Sequence, residues 1–123
     1  MHEIVFATNN QNKINEIEVL LSTEYHIKKL IDIGCTEELP ETHNTIEENS
    51  AEKANYVYSK YKINCFSEDS GLEIDTLNGE PGVDSAHYAG TRDANLNMNK
   101  VLEKMNGKQN RKAQFKTVIT LIL

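Results

Sequence analysis

The sequence predicts an α/β fold in which a mixed β-sheet is flanked by helices. Three observations carry this expectation. A short apolar run, Ile4-Val5-Phe6-Ala7, stops at a polar cluster and is followed at once by a helical pattern. Two more helical patterns then alternate with β-forming segments, and the chain closes on a strongly β-forming stretch from Ala113 to Leu123. With 123 residues the chain has the length of one ordinary domain, enough to bury most of the surface its unfolded state exposes, so residues 1–123 are read as a single domain.

Residues 3–8 read as a buried strand, ended by Thr8-Asn9-Asn10-Gln11-Asn12-Lys13. In the helix that follows, Ile14, Ile17 and Leu21 fall at i, i+3 and i+7, and Val19 and Leu20 widen the stripe. Residues 26–33 read as a second strand, closed by Gly34 and followed by the acidic loop Thr36 to Thr42. Thr45-Ile46-Glu47-Glu48 is a capping-box pattern and predicts a helix over 45–61. Its apolar face is Ala54, Val57, Tyr58 and Tyr61, and its polar face Asn49, Lys53, Tyr56 and Lys60. A brief strand from Ile63 to Ser67 leads into Glu68-Asp69-Ser70-Gly71. Leu72 and Ile74 then alternate with Glu73 and Asp75 before an Asn78-Gly79 turn. Thr91 or Asp93 caps a third helix with the stripe Ala94, Met98, Val101, Leu102, Met105, closed by Gly107. The final segment is apolar on both faces and has no covering element, which predicts that the natural protein continues beyond Leu123 or that another chain supplies the cover.

Composition narrows the function classes. At 38% hydrophobic and 26% charged the chain is globular, without the bias of disorder or fibres. Its apolar runs fall far short of the roughly 20 residues a membrane helix needs, and Met1-His2-Glu3 is no signal-peptide start, so a cytoplasmic location is expected. A net charge of −6 without a Lys/Arg stripe argues against a nucleic-acid partner, while a small phosphorylated ligand bound with Mg²⁺ stays compatible. Cys35 and Cys65 lack zinc-site spacing, and His2, His26, His43 and His87 show no metal-ligand pattern.

Three constellations could carry chemistry. The loop from Thr8 to Lys13 joins a strand's carboxyl end to a helix amino end, where α/β proteins bind phosphate; Lys13 opposes the helix dipole there, which a bound anion would explain. The same pattern also fits Asn9 and Asn10 acting only as cap and turn. Glu41 and the Glu68-Asp69 pair offer carboxylates from separate segments that could hold one Mg²⁺ and leave room for phosphate and water, and Asp69 could take a proton from that water. Glu-Asp-Ser-Gly equally fits a plain turn. Lys53 and Asn49, one helical turn apart, could neutralise a polyphosphate or simply be solvated. No glycine set of a P-loop or dinucleotide fold is present.

Taken in order, these pieces resemble the inosine/xanthosine triphosphate pyrophosphatase family. The matching segments are Thr8-Asn9-Asn10 with Lys13; Glu41-Thr42 with Thr45; Glu48-Asn49 with Lys53-Ala54; Glu68 to Leu72 with Asp75; and Leu77 to Val83 with Ser85-Ala86 and Tyr88-Ala89-Gly90. The resemblance implies an elongated two-lobed fold with a central cleft, here in truncated form. It further implies hydrolysis of a non-standard purine nucleoside triphosphate (ITP, dITP or XTP) to the monophosphate and pyrophosphate, a nucleotide-pool cleansing activity. It assigns phosphate binding to Thr8, Asn9, Asn10, Gln11, Asn12 and Lys13, Mg²⁺ binding to Glu41 and Asp69, the proton-acceptor role to Asp69, and substrate contacts to Lys53 and Ser70. Family members pair as homodimers. Two departures stand out: His87 occupies a position where the family commonly has Arg, and the family's second half, which reads the purine base, lies outside these residues. Residues 1–123 are therefore expected to be inactive alone. The rival readings are a non-catalytic chain with residual phosphate or metal binding, and a different metal-dependent phosphatase.

Overall fold

A computed structural model describes residues 2–123. The elements run β1 (His2–Phe6), α1 (Gln11–Leu21), β2 (Tyr25–Lys28), α2 (Ile46–Tyr61), β3 (Cys65–Ile74), α3 (Ala94–Met105) and β4 (Ala113–Ile122), with short 3₁₀ turns at Leu30–Ile33, Asp75–Leu77 and Gly82–His87. One four-stranded sheet has the order β2-β1-β3-β4. β1 pairs in parallel with both neighbours, Ile4 opposite Ile27 and Phe6 opposite Phe66. Asp75 N–H donates to the Lys112 carbonyl at 3.1 Å and Glu73 meets Gln114 at 2.8 Å, so β4 runs antiparallel to β3 and the sheet is mixed, as expected.

The chain folds as two compact units. The first takes the residues up to His43, Glu47–Glu68 and Ile119–Leu123; the second takes Asn44–Ile46 and Asp69–Val118. In the first unit the alternation of strand side chains divides the core in two. Val5, Ala7 and Cys65 pack with Leu30, Cys35 and the α2 residues Ala54 and Val57. On the opposite face Ile4, Phe6, Ile27 and Phe66 pack with Ile14 of α1, Phe6 stacking on Phe66 with ring centroids 4.4 Å apart. Helices on both faces explain why β1 is an unbroken apolar run instead of an alternating one. The last turn of β4 joins this unit through a chain of hydroxyls, Ser50 Oγ lying 3.2 Å from Ser67 Oγ and 2.8 Å from Thr120 Oγ1.

In the second unit, Gly71 is held against a neighbouring backbone: a Cβ there would sit 2.2 Å from the Gly82 carbonyl oxygen. Ser85 stitches the same place, its hydroxyl donating to the Gly82 carbonyl at 2.6 Å and accepting from Leu72 N–H at 2.8 Å. The Asn78-Gly79 turn forms as expected, with φ of 56° and 87°. Asp93, the second of the two candidate caps, accepts from Asn95 and Leu96 N–H, and α3 closes near Gly107 at φ 77°.

The structure corrects or narrows several expectations. The strand expected over 26–33 ends at Lys28, because Lys29 N–H donates to the Asp32 carboxylate at 2.9 Å, a local bond that turns Leu30–Ile33 into a 3₁₀ helix and takes it out of the ladder. Glu68-Asp69-Ser70-Gly71 is no turn; it lies inside the ten-residue strand β3, which fuses the two short β segments expected there. Of the two readings left open for Asn49 and Lys53, the solvated one fails: they are buried, at 4% and 7% exposure, with Glu41 and His43 of the adjoining loop against them. The stripe of α3 is largely uncovered: Met98 and Leu102 are each 55% exposed, and Asn97 and Met105 are the buried residues. The last strand, noted in the sequence for its lack of a covering element, forms an edge of the sheet, with Phe115 at 82% and Ile119 at 63% exposure.

Candidate active site

The candidate residues gather where the parallel pairing of β1 with β3 ends, just past Phe6 and Phe66, the side of an open α/β sheet on which ligands usually bind. Past Phe6, Ala7 N–H still donates to the Phe66 carbonyl at 2.8 Å; Thr8 N–H then turns back to the Phe6 carbonyl at 2.9 Å and the chain leaves the sheet, while β3 runs on through Glu68. Asn10 caps α1, its side-chain oxygen accepting from the N–H groups of Asn12 and Lys13, while Thr8 Oγ1 accepts from Asn10 N–H at 3.1 Å. Gln11 Nε2 donates to Asn15 Oδ1 at 2.8 Å. The loop thus supplies partners for several of the N–H groups that an anion would use, and a phosphate there would compete with Asn10 Oδ1.

Charged groups form an alternating chain in the first unit. Lys13 Nζ lies 2.5 Å from Glu68 Oε2. Lys53 Nζ donates to the Glu68 carbonyl oxygen at 2.8 Å and lies 3.0 Å from Glu41 Oε1. Lys53 is buried and Lys13 about a third exposed, so both ammonium groups are held in place by carboxylates. Glu68 Oε2 is itself fully buried and makes no hydrogen bond of normal geometry among the described residues; Lys13 meets its charge instead. Burying a carboxylate oxygen without such a partner is costly, so the Lys13 ammonium beside it stabilises the arrangement.

Asp69 and Ser70 continue β3. Because successive strand side chains point to opposite faces, Asp69 shares a face of β3 with Ser67, and Glu68 shares the other with Phe66 and Ser70. The two carboxyls adjacent in sequence are thereby directed apart. Of the sequence-predicted residues, the structure brings together Thr8, Asn10, Lys13, Glu41 and Lys53, with Asn9, Gln11 and Asn12 in the same loop and first helical turn. Asn49 is used differently, accepting from His43 N–H at 2.9 Å.

Sequence reasoning gave Glu68 no fixed role, yet its side chain pairs with Lys13 and its carbonyl with Lys53. It also missed the residues that hold the Glu41 loop. Glu37 accepts from Tyr56 OH at 2.8 Å and Tyr61 OH at 3.0 Å and pairs with Lys60; the Lys60 ammonium, then hydrogen bonds from the backbone and Tyr56, hold the Glu37 carboxyl far below the usual carboxylate range. Glu52 accepts from Thr42 N–H at 2.7 Å and Thr42 Oγ1 at 2.6 Å, and those bonds lower its carboxyl too. The available signal was the spacing 49, 52, 56, one polar stripe of α2 facing a loop too polar to bury itself otherwise.

A family model described as the Ham1 family matches residues 4–123. The chain belongs to the Ham1 family. A dITP/XTP pyrophosphatase of Flavobacterium psychrophilum is 56% identical over 120 residues, covering 97% of this chain and 63% of the relative. One of Bacillus subtilis is 42% identical over 125 residues, covering 98% of this chain and 63% of the relative. The fold matches a Ham1 protein of Coxiella burnetii with a TM-score of 0.91 at 33% identity, over 99% of this chain and 64% of that one. It matches the Staphylococcus aureus Ham1 protein with a TM-score of 0.89 at 38% identity, over 98% and 62%. The chain therefore spans a little under two thirds of the length of these relatives. No helix among the described residues is long and apolar enough to cross a membrane.

Proposed function

We propose that this Ham1-family chain carries the phosphate- and metal-handling part of a hydrolase that cleaves non-standard purine nucleoside triphosphates, ITP, dITP or XTP, to the monophosphate and pyrophosphate. Residues 1–123 form one nucleoside-triphosphate pyrophosphatase domain, incomplete by comparison with the relatives, and slight or no turnover is expected from them alone. The observation that carries the reading is the chain Lys13–Glu68–Lys53–Glu41 beside the place where the parallel pairing of β1 with β3 ends. Relatives named dITP/XTP pyrophosphatase supply the substrate class.

The donor set suits Mg²⁺. Hard carboxylate oxygens are its preferred protein ligands, one or two being enough when phosphate oxygens complete the shell. The Lys13–Glu68 pair gives a structural reason for a cation to arrive with the substrate. A triphosphate that drew Lys13 toward itself would strip the buried Glu68 Oε2 of its counter-charge, and a divalent cation restores it. When bound, the metal would neutralise phosphate charge and acidify a coordinated water. Glu41 and Asp69 are its proposed ligands. Thr8 to Lys13 grip phosphate, Lys53 neutralises it, Ser70 hydrogen-bonds to it, and Asp69 accepts the proton of the attacking water. A cytoplasmic location, a homodimer of the full-length protein and the absence of a nucleic-acid partner complete the proposal; the net charge of −6 supports the last.

The test is pyrophosphate release from ITP with Mg²⁺ by a protein extended to the relatives' length. Asp69→Asn is expected to lower kcat by about 10²- to 10⁴-fold, the range for loss of a general base. An unchanged rate sinks the assignment, and orthophosphate as the first product would favour a different phosphatase.

A further inference from the structure

The segment from Thr36 to Thr45 has no helix or strand of its own, and an irregular stretch of that length keeps a fixed shape only where neighbouring residues hold it. Glu41 sits in this stretch with its side chain 46% exposed, so packing does not decide where its carboxylate points. Bonds on both sides of it do. Upstream, Glu37 is tied to Tyr56, Lys60 and Tyr61, and Leu39 packs on the core beneath α2. Downstream, His43 N–H is held by the buried Asn49. At Thr42, the residue directly after Glu41, both oxygens of Glu52 are used, one for the Thr42 N–H at 2.7 Å and the other for its hydroxyl at 2.6 Å. The His43 ring stands beside the same carboxylate, Nδ1 lying 3.3 Å from Oε1. Glu52 is only 18% exposed at its side chain and lies one residue before Lys53, the partner of Glu41, so the Glu41 carboxylate and the peptide that follows it are referenced to the same helical turn.

We infer that Glu52 is a positioning residue for the Glu41 carboxylate: its two bonds to Thr42 fix the peptide that follows Glu41 and so preset where that carboxylate meets a divalent cation. The inference rests on the reading of Glu41 as a cation ligand. Its chemistry is geometric and does not depend on the charge of Glu52. A glutamine in the same place can accept from Thr42 N–H through its carbonyl oxygen and donate to the Thr42 hydroxyl through its amide, keeping the two-point grip. An alanine keeps neither bond.

The experiment measures Mn²⁺ binding by electron paramagnetic resonance, with a non-hydrolysable ITP analogue present, on a protein extended to the relatives' length, alongside amide hydrogen exchange. Glu52→Ala is expected to weaken Mn²⁺ binding by about 10-fold or more, the usual effect of losing a group that orients a metal ligand, and Glu52→Gln by no more than about 3-fold. Exchange at the Thr42 and His43 amides should quicken in the alanine variant and stay near wild type in the glutamine variant. The inference is overturned if Glu52→Ala lowers the melting temperature but leaves Mn²⁺ affinity unchanged while Glu41→Gln weakens it, or if glutamine behaves like alanine. Should Glu41→Gln itself leave Mn²⁺ affinity unchanged, the cation-ligand reading of Glu41 fails, and the positioning role falls with it.

Discussion

The two compact units use similar raw material to opposite effect. In the first, α1 and α2 press apolar stripes onto the two faces of the sheet, and Val5, Phe6, Ala54 and Val57 are at most 1% exposed. In the second, α3 has the more regular stripe by sequence, yet Met98 and Leu102 remain 55% exposed and the buried centre of its face is an amide, Asn97. That amide acts as a structural bracket, accepting from Ala89 N–H at 2.7 Å and donating to the Ala86 carbonyl at 2.9 Å. The contrast shows that an amphipathic pattern states what a helix could bury, while burial itself depends on a facing surface of matching shape. It also separates tasks. The unit with the closed core supplies the packed elements on which these charges are mounted, α1 for Lys13, α2 for Lys53 and β3 for Glu68, as a preorganised charge site requires.

Substitutions should reveal this asymmetry. The largest effect is expected at Phe6, 1% exposed and stacked on Phe66: Phe6→Ala should cost about 3–5 kcal/mol in urea unfolding, and a loss below about 1 kcal/mol would mean that the first unit is not the rigid half. An intermediate effect is expected at Glu37 and should depend on pH. Its carboxyl is held below the unfolded value of 4.5, so its contribution is fully present above that pH and is lost as pH falls through the lower folded value. Glu37→Gln should therefore reduce stability at pH 7 and flatten the acid limb below about pH 4.5 in thermal melts; parallel acid limbs would contradict the assignment. The smallest effect is expected at Leu102, where Leu102→Ala should change stability by no more than about 0.5 kcal/mol, as at other exposed positions. A loss above 1 kcal/mol would show that this face of α3 has a cover.

Much of the fold was legible residue by residue. The run Ile4-Val5-Phe6-Ala7 announced a strand covered on both faces, Asn10 and Asp93 announced helix starts, and Asn78-Gly79 announced a turn, because each depends on interactions within a few residues. The candidate site could be named as a set of residues through the family resemblance, but its wiring could not. That Lys13 answers Glu68, that Lys53 lies between Glu41 and the Glu68 carbonyl, and that Glu52 grips Thr42 are contacts over 10 to 55 residues, with no local signature.

By itself the sequence determined most of the strands and helices, where most of them start, and which side chains offer the carboxylates and ammonium groups of the proposed site, since propensity, capping and ligand hardness belong to residues and their near neighbours. Only the tertiary structure decided that Glu68-Asp69-Ser70-Gly71 is strand and not turn. Those four residues favour a turn in isolation, and it is sheet pairing, with Gly71 pressed against the Gly82 carbonyl, that extends them. The same holds for Lys53. On a helical wheel it belongs to a polar face, and it is buried because a loop 12 residues upstream brings Glu41 to meet it, an arrangement set by packing instead of by periodicity.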